Sequence, residues 1–475
     1  MRRRRLLASL GVAAGATLAL PSAAAAHGLV GREDLPIPKW LFGWGATAVL
    51  VASFVGLAVL WPKPRLEGLT ERRAFAPAKL LDPVCGLIGT AAFALLVYAG
   101  YAGTQTPPTN NLTPVFVFVL FWVGLAVASL LLGDIFKAFN PWRATARAVG
   151  WVAGKASPAG LPEPMAYPAW LGRWPATFFI LGFAWIELVY AGRTDPSHLA
   201  TLALVYAALQ FVGMSLYGIE TWNSYGDGFG VYFGLFARLS PLHWTRGEVL
   251  VRPVLSGLTK LDVVPGTVAL LCTMIGTTSF DGFQGGRAWT SLAPRLTDSL
   301  RGLGLSQANA LEGAFTMGLV GMVLVVSGLF WLGVWGMQRE SRGRMTSQQL
   351  AWRFVHSLVP IAAAYIIAHY FSLLAYDGQR VAYLVSDPLG VGSDYFGTAV
   401  AVPTIDYGWI SATGIWYVQV AALVCGHVAG LILAHDRALL TFKQSRTATR
   451  SQYWMLAVMI AFTSLGLWLL SSANS

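Results

Sequence analysis

The sequence predicts an all-α, polytopic membrane protein, with about ten transmembrane helices behind a cleavable signal peptide. Three observations carry this. Of 475 residues, 55% are hydrophobic and only 12% charged, about half the charged share of a soluble domain, so most of the chain must meet lipid. Apolar segments long enough to cross a hydrocarbon core recur along the chain. Lysines and arginines collect on alternate connections, by roughly three to one, as the positive-inside rule requires.

Residues 1–26 read as the signal. Arg2 to Arg5 form the basic region, Leu6 to Leu20 the apolar region, and Ala24-Ala25-Ala26 a small-residue cleavage site. Cleavage after Ala26 leaves His27 at the mature N-terminus, where its α-amine and ring nitrogen together can chelate copper. The plainer reading is that the signal simply ends there. Residues 27–475 then form a single transmembrane helical domain, with apolar segments near 40–61, 83–103, 114–136, 175–192, 197–218, 263–279, 310–336, 352–376, 410–434 and 453–471.

Export of the N-terminus makes the first segment run inward and leaves both mature termini outside the plasma membrane. Lys63, Arg65, Arg72, Arg73 and Lys79 on the first inner connection agree with that. An uncleaved first segment gives the same orientation, so charge leaves cleavage open. The inner connection 219–262, rich in aromatic residues, reads as an in-plane amphipathic helix or a re-entrant piece. The outer connections 280–309 and 377–409 begin FDGFQGG and YDGQ and read as long surface loops. The net charge of +11 sits largely on inner connections. The partners implied are therefore the lipid bilayer and a small apolar molecule or ion, not nucleic acid. Cys85, Cys272 and Cys425 lie in apolar runs and suggest neither a disulfide framework nor a C-x-x-C site.

The chemistry is sorted by depth. The stretch from Trp352 to Asp377 is central, because it spans the bilayer yet carries His356 and His369 with Pro360 between them. Intramembrane ionisable groups are costly and face a bundle interior. Glu187, Asp281, Glu312, His369 and Asp377 fall near the outer face. Carboxylates with an imidazole suit a divalent ion of open identity, so His369, Glu187, Asp377 and His27 are the candidate metal ligands. Glu187 and Asp281 are the candidate catalytic bases. Against this, Glu187 can seal a helix contact as a paired or protonated acid, and Asp281-Gly282 can cap a turn.

His356, His427 and Glu220 form a secondary inner group. His435, beside Asp436 and Arg437, is placed at the membrane edge. Gly426 and Gly430 flank His427 at a G-x-x-x-G spacing that favours close helix contact. A His356–His427 pair competes with each imidazole bonding a backbone carbonyl. Glu187 and His369 are expected to face each other across a polar cavity opening outward.

At HSLVPIAAAYIIAHYFSLL, GHVAGLILAHDRAL, SYGDGFGVYFGLFARLSP and TTSFDGFQ, the chain resembles a family of bacterial polytopic membrane proteins that includes fenitrothion hydrolases. The likeness runs from HGLVGREDLPIPKW to the last segment. It implies hydrolysis of an organophosphorus triester, with a divalent ion polarising the phosphoryl oxygen and a carboxylate such as Glu187 or Asp281 taking the proton. The chain carries no H-E-x-x-H, no paired H-x-H and no G-x-S-x-G. A proton-coupled or ion-coupled transporter, using the helix broken at Pro360, and a copper-handling protein using His27 compete with that reading.

Overall fold

The computed structural model describes residues 39–157, 162–245, 247–341, 344–399, 405–442 and 445–472. The expected signal and His27 lie outside the described residues. The main helices are α1 (Lys39–Leu60), α2 (Leu81–Ala102), α3 (Leu112–Leu132), α4 (Pro141–Ala156), α5 (Trp174–Leu188), α6 (Pro196–Tyr217) and α7 (Gly228–Ala237). They continue with α8 (Thr267–Gln284), α9 (Arg287–Gly302), α10 (Gln307–Glu340), α11 (Leu358–Tyr376), α12 (Ala412–Phe442) and α13 (Tyr453–Ser472).

Among the described residues, six helical stretches are long and apolar enough to cross a membrane: α2, α3, α6, α10, α12 and the Ser347–Leu384 stretch that contains α11. Trp44–Leu60 in α1, all of α5 and α7, and Tyr453–Gly466 in α13 are apolar but shorter. Large apolar side chains such as Val55, Val59, Leu87, Phe178, Val212 and Leu324 are exposed on the bundle exterior, the surface that lipid rather than water tolerates.

Helix α8 is the centre of the bundle. Fourteen of its 18 residues are buried, on every face, and it packs against α5, α10 and α11. That position explains its composition. A helix that touches protein all round can carry Thr273, Thr277, Thr278 and Asp281 where a lipid-facing one cannot. The hydroxyls of Thr277 and Thr278 bond the carbonyls of Thr273 and Met274 one turn back, at 2.9 and 3.1 Å.

The α11–α12 pair is the most extensive helix contact, and it is made by the glycines. A Cβ on Gly426 would lie 2.3 Å from the Ala364 Cβ and 2.7 Å from the Pro360 oxygen; one on Gly430 would lie 2.9 Å from the Ser357 oxygen. The G-x-x-x-G spacing therefore brings the two backbones together, as expected. Pro360 is the third residue of α11, just after a 3-10 turn at Val355–Ser357. It lies in the first turn, where its missing donor has no intrahelical partner to lose, and the irregularity falls before it rather than at it.

Three expectations are corrected. Asp281-Gly282 does not turn the chain: α8 runs on to Gln284, and most of 280–309 is α9 and the start of α10. Burial of Phe280, Asp281 and Gly282 on neighbouring helices outweighs the turn preference of Asp-Gly. Of the two readings of the 219–262 connection, an in-plane amphipathic helix or a re-entrant piece, the first is corrected. The connection's helix α7 has nine of ten residues buried, against Phe121, Trp122 and Phe136. It also contributes two of three short strands, β1 (Arg72–Phe75), β2 (Leu242–Thr245) and β3 (Glu248–Val251), in the antiparallel order β1-β3-β2, so the fold is mostly helical rather than wholly so.

Candidate functional site: a buried carboxylate and imidazole cluster

Helices α5, α8 and α11 end on the same side of the bundle and bring three ionisable groups together. Glu187 lies in the last turn of α5, Asp281 in the last turn of α8, and His369 two turns before the end of α11. His369 Nε2 is 2.8 Å from Asp281 Oδ2, and each side chain is only 9% exposed. The other Asp281 oxygen accepts from Gln284 Nε2 at 2.7 Å. Glu187 lies near enough to Asp281 for the two charges to interact, and buried Tyr370 stands against both carboxylates. The Tyr370 ring also meets the His369 ring edge-on, centroids 4.7 Å apart.

The electrostatics are unusual for helix ends. The C-terminal turn of a helix carries partial negative charge and favours cations, yet α5 and α8 each place a carboxylate there. His369 compensates in part. Both carboxylates ionised against one imidazolium leave one net negative charge, which a low-dielectric interior holds at high cost. One further proton or one bound cation neutralises the group.

Below the cluster is a cavity of about 20 Å³ lined by Thr278, Ser279, Tyr365 and His369. That is enough for one water molecule. Ser279 Oγ has no partner among the described residues and is the polar group such a water would satisfy. No protein-family profile, no curated protein and no solved structure matches this chain. What the cluster does follows from its own geometry.

The other expected site residues are placed differently. Asp377 pairs with Arg380 at 3.0 Å and sits eight residues beyond His369, about 12 Å along the helix axis. Glu312 accepts from the Ala191 amide at 3.0 Å, which ties α10 to the end of α5. Among the described residues, no three His, Cys, Asp or Glu side chains converge as a metal site requires. Asp281 already spends both oxygens on His369 and Gln284.

On the opposite side, Glu220 is held by Arg143, Arg147 and Lys137 at 3.0, 3.3 and 3.6 Å. His427 Nδ1 bonds the Leu423 carbonyl at 2.8 Å, and His356 bonds the backbone at Arg353 and Leu433. Each imidazole thus follows the backbone alternative. His435 and Asp436 are not at an open membrane edge but buried, at 1% and 2% exposure. Asp436 accepts from Trp61 Nε1 and the Arg65 amide, at 3.0 and 2.6 Å.

Sequence reasoning missed Tyr370, Gln284 and Asp227. The first two had a local signal, adjacency to His369 and the i+3 spacing from Asp281. Asp227 had none, because Gly226-Asp227-Gly228 reads as a turn. In the structure it is fully buried and accepts from Tyr206 Oη, Trp142 Nε1 and Asn140 Nδ2 at 2.6, 2.7 and 2.9 Å, joining α4, α6 and α7.

Proposed function

We propose that this chain is a multi-pass bacterial plasma-membrane protein of ten spans, with both mature termini outside, and that the Glu187–Asp281–His369 cluster is a proton-handling centre. The reading is a proton- or ion-coupled carrier for a small molecule. One observation carries it: the Asp281–His369 pair is buried at the helix ends inside the bundle with a second carboxylate, Glu187, beside Asp281. Such a group changes its total charge when one proton or cation enters, and buried carboxylate–histidine chains are how pumps and transporters relay protons. The Asp281–His369 pair holds the imidazolium when protonated. Tyr370 stands beside both carboxylates as a hydroxyl able to pass a proton between them. The single-water cavity continues the polar path from His369 towards Tyr365, and the 3-10 turn at Val355–Ser357 gives the start of α11 a place to flex.

The test uses purified protein in liposomes loaded with a pH-sensitive dye. The wild type should dissipate an imposed pH gradient faster than empty liposomes. His369→Ala and Asp281→Asn should fall to the empty rate, and His356→Ala should not. A wild-type rate equal to that of empty liposomes defeats the reading.

One observation favours a second reading, the triester hydrolysis implied by the family resemblance. His369 is oriented by Asp281 and lines a cavity of one water's size, which is how a dyad presents a general base to water. In that case the wild type cleaves an organophosphorus triester with no gradient imposed, and His369→Ala abolishes cleavage.

A further inference from the structure

At the opposite end of the bundle from His369, a second and larger cavity of about 450 Å³ opens between α7, the β2–β3 hairpin and the starts of α5 and α8. That is the size of a small-molecule site. Five cationic side chains line it, Lys137, Arg173, Arg238, Arg252 and Lys260, against three carboxylates, Glu71, Asp134 and Asp262.

The carboxylates are already engaged. Glu71 bonds His243 at 2.7 Å and meets Lys260 at 3.5 Å. Asp262 accepts from Tyr225 Oη at 2.8 Å. Asp134 caps a short helix by accepting from the Lys137 amide at 3.3 Å.

The three arginines, in contrast, are held only by neutral oxygens. Arg173 donates to the Asp262 carbonyl and Thr267 Oγ1, Arg238 to the carbonyls of Gly257 and Lys260, and Arg252 to those of Ser240 and Ala237. None of them forms an ion pair with a carboxylate within 4 Å among the described residues; Glu71, Asp134 and Asp262 act on them only at longer range, so their donors remain open to an anion. Arg173 is 5% exposed and its Nε has no partner among the described residues. Burial, with Arg238 acting the same way, pulls Arg173 down to about 10, so it remains a cation at neutral pH.

The wall is also kept open. Helix α7 is buried almost throughout, yet a Cβ on Gly234 would meet nothing within 4 Å, and Gly234 lines the cavity. A larger residue there would fill the space rather than clash with the fold.

We propose that this cavity binds a phosphate ester. The cationic surplus of two accommodates either a phosphate monoester, which carries about −1.5 to −2 charges at neutral pH, or the single negative charge of a phosphodiester. Guanidinium groups suit phosphate oxygens. Trp244 and Tyr225 in the lining suit the organic part. The ester can be a soluble phosphorylated metabolite or the headgroup of an anionic lipid, since basic pockets between membrane helices also take headgroups.

The test uses the full-length protein in phosphatidylcholine nanodiscs, with thermal unfolding followed as glycerol 3-phosphate is titrated. A parallel preparation contains phosphatidylglycerol and is analysed by native mass spectrometry for retained lipid. Saturable stabilisation by glycerol 3-phosphate assigns the soluble ester. Retention of phosphatidylglycerol assigns the headgroup. In either arm, Gly234→Leu and Lys260→Gln should weaken binding at least tenfold. Lys260 is largely exposed, so its variant tests the idea even if Gly234→Leu does not fold. No binding in both arms, or binding that neither variant weakens, overturns the proposal.

Discussion

Replacing Gly426 by alanine should push α12 away from α11, the helix that carries His369. The added Cβ would sit 2.3 Å from the Ala364 Cβ and 2.7 Å from the Pro360 oxygen. Carbon atoms pack comfortably at about 3.5–4 Å, so α11 and α12 must part by about 1.2–1.7 Å at that point. Neither neighbour can rotate away, because one is a Cβ and the other is backbone. Overpacking of this kind costs about 1–3 kcal/mol, and Gly426→Ala belongs at the upper end. Gly430→Ala belongs at the lower end, because two of its three nearest atoms, Met459 Cε at 3.0 Å and Ile361 Cδ1 at 3.2 Å, end flexible side chains. Gly328→Ala is the control: its Cβ meets nothing within 4 Å, and alanine is the better helix former. Thermal unfolding in one defined detergent, followed by tryptophan fluorescence, should rank the melting temperatures Gly328→Ala, Gly430→Ala, Gly426→Ala from highest to lowest. Gly426→Ala should also slow gradient dissipation, because α11 carries His369. Melting of Gly426→Ala at or above Gly430→Ala would refute the reasoning.

Asp227→Ala should destabilise by about 3 kcal/mol, since buried Trp142 and half-buried Tyr206 lose their acceptor and Asn140 keeps only Asn223; unchanged denaturant unfolding would exclude this role. Glu71, on the connection before β1, is raised by burial, but the bond and charge of His243, with Lys260 and Arg252, outweigh that and hold it below its ordinary value of 4.5. Its contribution to stability is therefore present above that value and lost as pH falls through the lowered one. Glu71→Gln should remove this part of the acid-side loss of stability in melts taken between pH 6 and pH 3. A reporter fused after Ser475 should be active only as an extracytoplasmic fusion, and cytoplasmic activity would mean a miscounted span.

The sequence alone determined that this is a membrane protein, and the reason is additive. Hydrophobicity and charge act residue by residue, so composition, segment length and loop charge report them without any knowledge of packing. It also placed Glu187, Asp281 and His369 at one level along their helices, because rise along a helix is constant, and it anticipated the α11–α12 contact, because Gly426 and Gly430 repeat at helical spacing. Only the tertiary structure decided which groups at one depth meet. It joined His369 to Asp281 directly, with Glu187 beside them, and sent Asp377 to Arg380 and Glu312 to a backbone amide. It buried α8 on every face and so carried Asp281-Gly282 through a helix instead of a turn. It also gathered Arg173, Arg238 and Arg252 around one cavity from positions up to 79 residues apart. Rotation about the helix axis, and the choice of neighbour, depend on long-range packing, and no local pattern of residue types encodes them.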